Sequence, residues 1–311
     1  MKKVMRRQLL ALMILILLLS IGVCQQIGKD TVKVFYLGGQ SNMDGYGYNS
    51  DLPESLKTEF QNVWIYHGNP APDEDKNGGL GRWNILSPGH GVGFSSDGIN
   101  DNLSNRFGVE LSFAKKLQEL YPNEKIAIIK YSRGGTSIDS LAAGEFGSWE
   151  ADYKGSNGVN QYDHFLASLE RALNTNDMDG DGKEDYFIPI GIIWMQGEQD
   201  AAYTEEIANR YYFNLKRLMD LIRASLRVDD IPVVIGKISD SGNDEDGKVW
   251  EHSELIQHAQ EKYAKTDKNA AIVRSTRYYS YSDPWHYDSD GYIDLGEKFA
   301  EAVYLLNSVV K

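Results

Sequence analysis

From Thr31 onward the chain alternates short apolar runs with stretches of helical period. Thr31 to Leu37 (TVKVFYL), Lys125 to Tyr131, Ile188 to Met195 and Ile231 to Ile238 are nearly continuous in apolar residues, and Ala270 to Val273 adds a fifth run. Strands of this kind are buried on both faces. Between them lie Gly108 to Leu120, Tyr162 to Leu173, Thr204 to Leu226 and Lys248 to Lys265, with Gly291 to Ser308 closing the chain. In Thr204 to Leu226 the residues Ile207, Tyr211, Leu215, Leu218, Ile222 and Leu226 recur at steps of three or four, one face of a helix. The alternation predicts an α/β fold: a three-layer αβα sandwich around a central, mostly parallel five-stranded sheet.

Two stretches break the pattern. Residues 68–107 and 142–159 are rich in Gly, Asn, Asp and Ser, and loops of that length in a compact domain are usually functional or disordered. No Pro- or Ser-rich linker divides the chain and no repeat recurs, so residues 30–311 are read as one domain.

The N-terminus follows another rule. Lys2, Lys3, Arg6 and Arg7 precede the apolar run Leu9 to Val23, the layout of a secretory signal peptide over residues 1–24, too short to span a bilayer comfortably. Cleavage near Cys24 predicts a secreted or periplasmic protein; lipid attachment at Cys24 is the alternative. That cysteine is the sole one in the sequence, which excludes an intramolecular disulfide. The formal charge is −13; without the first 24 residues 28 cations face 45 acids, or −17. Such a surface repels nucleic acid and anionic membranes.

Ligands of open parallel sheets sit at the carboxyl ends of the strands, where four polar clusters stand. Gly38-Gly39-Gln40-Ser41-Asn42-Met43 follows the first run, and a serine on a tight glycine turn can present its hydroxyl to a cleft. Ser132-Arg133-Gly134-Gly135-Thr136 follows the second, where paired glycines let a backbone N–H approach an oxyanion. Gln196-Gly197-Glu198-Gln199-Asp200 follows the third; its amide is a candidate oxyanion donor and its acids are candidate helix caps. Asp283-Pro284-Trp285-His286 precedes the last helix, with the acid in reach of the imidazole Nδ1. His67 and His90 fall in loops and His164, His252 and His258 in helices; none has HxH or HExxH spacing for zinc.

Together GQSNM, GGTSI, WMQGEQD and DPWH resemble the SGNH hydrolase superfamily and, within it, the sialic-acid-specific acetylesterase and sixth carbohydrate esterase group, over roughly Lys33 to Leu305. The resemblance implies Ser41 as nucleophile, His286 as base and Asp283 as its orienter, with the Ser41 N–H, the Gly135 N–H and the Gln196 amide as oxyanion donors. Whether Gly134 or Gly135 points inward stays open. Gln40 and Glu198 are auxiliary, Glu198 as an acid that orients His286 or Arg133. The implied function is a secreted carbohydrate O-acetylesterase that needs no cofactor and takes acetylated oligo- or polysaccharide, of acetyl xylan or sialate type. An α/β-hydrolase esterase is disfavoured, because Met43 stands at the last glycine of a GxSxG elbow. A catalytically inactive sugar-binding surface protein predicts a damaged triad, and an esterase of another acyl substrate remains the nearer alternative.

Asp177, Asp179, Asp181 and Asp185, with Lys183 and two glycines between them, match the short DxDxDGxxD loops that hold a structural Ca²⁺. Ile188 stands at the twelfth position, so the loop is no EF-hand. Trp83 and Trp149, in the two glycine-rich loops, are the candidates for stacking on sugar.

Overall fold

The computed structural model describes residues 30–309 except 73–74 and 156–157. The expected signal peptide and Cys24 lie outside the described residues. Among the described residues no helix is long and apolar enough to cross a membrane.

The sheet has seven strands, not five. They are β1 (Asp30–Gly39), β2 (Val63–His67), β3 (Trp83–Ile85), β4 (Lys125–Ser132), β5 (Asp185–Met195), β6 (Val233–Gly236) and β7 (Ala270–Val273), in the spatial order β7-β6-β5-β1-β4-β2-β3. All pairs are parallel except β2 with β3. The two strands that periodicity does not reveal are instructive. Val63–His67 is five residues long and buried throughout; Trp83–Ile85 lies inside the glycine-rich stretch and is defined by pairing with β2, not by a pattern of its own.

Central β1 is dry because Val32 and Val34 to Leu37 are each fully buried between two neighbouring strands and two helical layers. One layer is α2 (Glu110–Leu120) packed on α7 (Ser289–Val309); the other is α3 (Gln161–Leu173), α5 (Glu205–Ser225) and α6 (Ser253–Thr266). The α5 helix starts where Thr204 caps it, its hydroxyl accepting from Ile207 N–H at 3.3 Å, and Glu205 and Glu206 complement the positive end of the helix. Ile207, Tyr211, Leu215, Leu218 and Ile222 all point inward, the face expected from their spacing. The fourth predicted helix is shorter than its apolar period, because Lys248 to His252 form turns before Ser253.

Candidate active site

The first site element is the abrupt end of β1. Gly39 has φ of +145°, and a Cβ there would stand 1.9 Å from the Met195 carbonyl oxygen, so only glycine lets the chain turn at once into the short helix α1 (Ser41–Asp44). Ser41 is thereby set at the carboxyl end of the sheet, where it lines a cleft of about 310 Å³ with Gln40, Tyr46, Arg133, Gly135 and His286.

His286 reaches this cleft from the loop before α7. Its Nδ1 lies 2.7 Å from Asp283 Oδ2, while Asp283 Oδ1 accepts from the Trp285 and His286 backbone N–H groups, each at 2.8 Å. One carboxylate thus fixes both ring and backbone. Burial lowers the His286 pKa below its usual value and outweighs the opposite pull of Asp283. The base form of the imidazole is favoured at neutral pH. For Asp283 burial pushes the pKa up, but the hydrogen bonds from His286 and Trp285 bring it below the usual carboxylate value.

The glycine loop after β4 supplies the opposite wall. The Gly134 N–H donates to Asp44 Oδ2 at 2.9 Å, and a Cβ on Gly134 would lie 3.3 Å from the Ser41 Cβ. Gly135 follows in the left-handed region, φ +69°, which reverses the chain so that successive amides face different ways. With the first amide committed to Asp44, Gly135 is the loop's candidate oxyanion donor.

Gln196 sits elsewhere. Its Nε2 donates to the Thr136 carbonyl at 3.0 Å and to Asp200 Oδ2 at 2.7 Å, its Oε1 accepts from the Tyr211 hydroxyl at 3.0 Å, and it is fully buried. Both amide hydrogens are spent on structure, so the expected oxyanion role of Gln196 is not one this geometry offers. The amide in the cleft wall belongs to Gln40, whose Oε1 accepts from the Gly197 and Gln199 N–H groups at 3.2 and 3.3 Å. With its oxygen so engaged, the amide nitrogen of Gln40 is a candidate donor to the cleft that the residue lines. Glu198, the first residue of the short helix α4 (Glu198–Ala201), likewise orients neither His286 nor Arg133: it is buried, and its Oε1 accepts from Asn42 Nδ2 at 2.8 Å. Burial pushes its pKa up.

Asn42 is a residue that strand-end reasoning passes over. Its Nδ2 also donates to the Trp285 carbonyl at 3.2 Å, and its Oδ1 accepts from Tyr292 OH at 2.8 Å and from Tyr287 N–H at 3.4 Å. The residue after Ser41 therefore clamps the loop that carries His286. Asp44 and Tyr46 are also missed; their only signal in the sequence is that they continue the polar turn after β1.

Trp83 and Trp149 are packed inside, donating to the Ala172 carbonyl and to Thr136 Oγ1 at 3.0 Å each, and so are unable to stack on sugar. Trp285, half exposed, and Trp250 line the cleft instead. Arg133 lies there too, its guanidinium 4.8 Å from the Phe146 ring centroid, with no side-chain hydrogen bond or ion pair among the described residues. His67 is at the end of β2 rather than in a loop, its Nδ1 3.4 Å from that of buried His90.

The acidic loop enters β5 from the end opposite the cleft. It gathers carboxylates of Asp177, Asp179 and Asp185 within 4.8 Å of one another. Asp181 stands outside that trio, paired with Lys183 at 3.0 Å and with Lys125 at 3.5 Å. Lys125 bridges Asp179 and Asp30, so the cluster already holds an ammonium.

A parallel sheet with a serine turn, a His–Asp pair and a glycine loop at its carboxyl edge defines the chain as a carboxylic ester hydrolase. Residues 31–305 match the family described as "Carbohydrate esterase, sialic acid-specific acetylesterase". The chain belongs to that family, as its motifs led us to expect. Among solved structures it is similar to a protein from Arabidopsis thaliana (TM-score 0.62, 20% identity, 88% of this chain and 98% of that one). It is also similar to a carbohydrate acetylesterase from Xanthomonas citri (TM-score 0.59, 19% identity, 90% of this chain and 57% of that one) and to NanS (TM-score 0.59, 16% identity, 91% and 99%). At these identities the likeness is one of fold. No curated protein matches the chain.

Proposed function

We propose that the protein is a serine O-acetylesterase acting on acetylated carbohydrate. The observation that carries this reading is the Asp283–His286 pair, 2.7 Å apart, opening on the same cleft as Ser41. His286 takes the Ser41 proton as the hydroxyl oxygen attacks the acetyl carbonyl. The developing oxyanion is held by the Ser41 and Gly135 N–H groups, with the Gln40 amide in place of Gln196. His286 returns the proton to the departing sugar oxygen, leaving an acetyl-enzyme. Water, deprotonated by the same imidazole, then releases acetate. Every group in the cycle belongs to the chain. Acetate release from acetylated xylan and acetylated sialate is the test: Ser41→Ala should lose roughly 10⁶ of kcat; near-normal turnover by that variant would mean another chemistry, and no acetate release by the wild type would leave a sugar-binding protein.

Arg133 favours the sialate type over the xylan type. Arg133 makes no ion pair among the described residues, although the Asp44 carboxylate lies in the same cleft wall, and a guanidinium so placed suits a sugar with a carboxylate near the ester. With acetylated sialate Arg133→Gln should raise KM at least tenfold and leave a neutral acetyl sugar unchanged; equal effects on both would remove this preference. Export through residues 1–24, with or without lipid on Cys24, completes the proposal. Palmitate label that disappears in Cys24→Ser would mark an anchored form.

A further inference from the structure

One carboxylate in the cleft wall has no part in the cycle above. Asp44 is the last residue of α1, and its side chain crosses to the end of β4 and the loop that follows it. There Oδ1 accepts from the Ser132 hydroxyl at 2.5 Å and Oδ2 from the Gly134 N–H at 2.9 Å. Its own carbonyl accepts from Lys130 Nζ at 2.8 Å, an ammonium that is fully buried and also bonds Glu110 and the His90 carbonyl. Asp44 is therefore gripped from both ends, backbone and side chain, by consecutive parts of one strand and the turn that follows it. Both carboxylate oxygens act as acceptors, the pattern of the ionised form.

We propose that Asp44 is a positioning residue of the hydrolytic site, which ties the nucleophile turn to the glycine loop and so aims the Gly135 N–H at the acyl oxygen. The inference rests on the serine esterase reading and adds a role to it. Two amides of one loop cannot both face the acyl oxygen and the carboxylate. By taking the first, Asp44 selects the second, and it fixes the distance between Ser41 and the loop at the same time. A hydrogen-bonded anchor is needed there because the loop is glycine, with no side chain to hold it. The carboxylate also adds negative charge on the cleft side of His286. Groups facing His286 are Asp283, Asp44, Arg106 and the stacked Tyr46 ring; those facing Asp44 are Lys130, Arg133, Ser132 and Tyr46. As His286 gains a proton in the transition state, Asp44 opposes the repulsion from Arg106.

The test compares Asp44→Asn, Asp44→Ala and Ser41→Ala in the full chain on a chromogenic acetyl ester, with melting temperature followed in parallel. Asp44→Asn keeps an acceptor for Gly134 and removes the charge. It should leave KM within about twofold, lower kcat roughly tenfold, and move the acid limb of kcat/KM to lower pH, because a negative charge that favours imidazolium is gone. Asp44→Ala loses the anchor as well and should lower kcat by about 10²- to 10³-fold, the size of an oxyanion donor. If Asp44→Asn does not fold, Ser132→Ala replaces it: the charge stays, one of two anchors goes, and kcat should fall about fivefold, one hydrogen bond's worth, with the acid limb unmoved. Wild-type kcat in Asp44→Ala or in Ser132→Ala would overturn the anchor, and a wild-type acid limb in Asp44→Asn would overturn the role of the charge. An active Ser41→Ala would overturn the serine reading itself; an inactive one beside a wild-type-like Asp44→Ala would overturn the role of Asp44 alone.

Discussion

The Tyr46 ring lies flat on the His286 imidazole, centroids 3.5 Å apart and planes 6° from parallel. It covers one face of the base and is part of the burial that lowers the His286 pKa. Since burial disfavours imidazolium, uncovering the ring should do the opposite. Tyr46→Ala should move the acid limb of kcat/KM to higher pH, and Asp283→Asn, which removes the group that favours imidazolium, to lower pH with a large loss of rate. Shifts in the same direction for both variants would show that the limb does not report His286.

Gln40 and Gln196 should separate into different kinds of loss. Gln40→Ala should lower kcat about 10²-fold at little change in KM, as expected for a donor that acts in the transition state. Gln196→Ala takes the amide donor from the Thr136 carbonyl and removes one hydrogen bond each from Asp200 and the Tyr211 hydroxyl, and should lower the melting temperature first. A pure kcat loss in Gln196→Ala, with unchanged melting, would restore it as an oxyanion donor.

Lys130 and Glu110 form an ion pair with both side chains fully buried, 2.8 Å apart. Removing one partner leaves the other charge uncompensated in the core. Lys130→Met should cost about 3–5 kcal/mol in denaturant unfolding, whereas Lys130→Met with Glu110→Leu should recover much of that. A double variant no better than the single would mean that the bonds to the Asp44 and His90 carbonyls, not the charge, matter most.

The acidic loop carries a prediction of its own. If Asp177, Asp179 and Asp185 hold Ca²⁺, free calcium at about 100 times Kd should stabilise the chain by about 2.7 kcal/mol, and Asp179→Asn should abolish the effect. Equal melting temperatures in EDTA and in millimolar calcium would leave Lys125 and Lys183 as the loop's counter-ions.

The parallel core was legible because Thr31 to Leu37 and its companions are apolar without interruption, and the α5 face because six residues keep one period. Five of the seven strands announce themselves in this way. Val63–His67 ends on a histidine and stands between polar turns with no helical period before it, and Trp83–Ile85 exists through its partner alone. At the site, the sequence singles out Ser41, Asp283 and His286 through the combination of their motifs, and the fold brings His286 and Ser41 to one cleft with Asp283 on the imidazole. Asn42 and Asp44 were not legible in this way: an amide and an acid beside a serine look like ordinary turn residues until the loops from β4 and α7 are brought against them. Gln196 was misplaced for the converse reason. A strand-end amide suggests catalysis, and only the positions of Thr136, Asp200 and Tyr211 reveal that its hydrogens are taken.

The sheet ends in three residues on one side, Trp83–Ile85, and in four on the other, Ala270–Val273. An open sheet invites a passing chain to add a strand at its margin, and the invitation grows with the length of unpaired backbone. Here each margin offers less than one ordinary strand. Margins this short leave copies of the protein little free backbone on which to pair edge to edge.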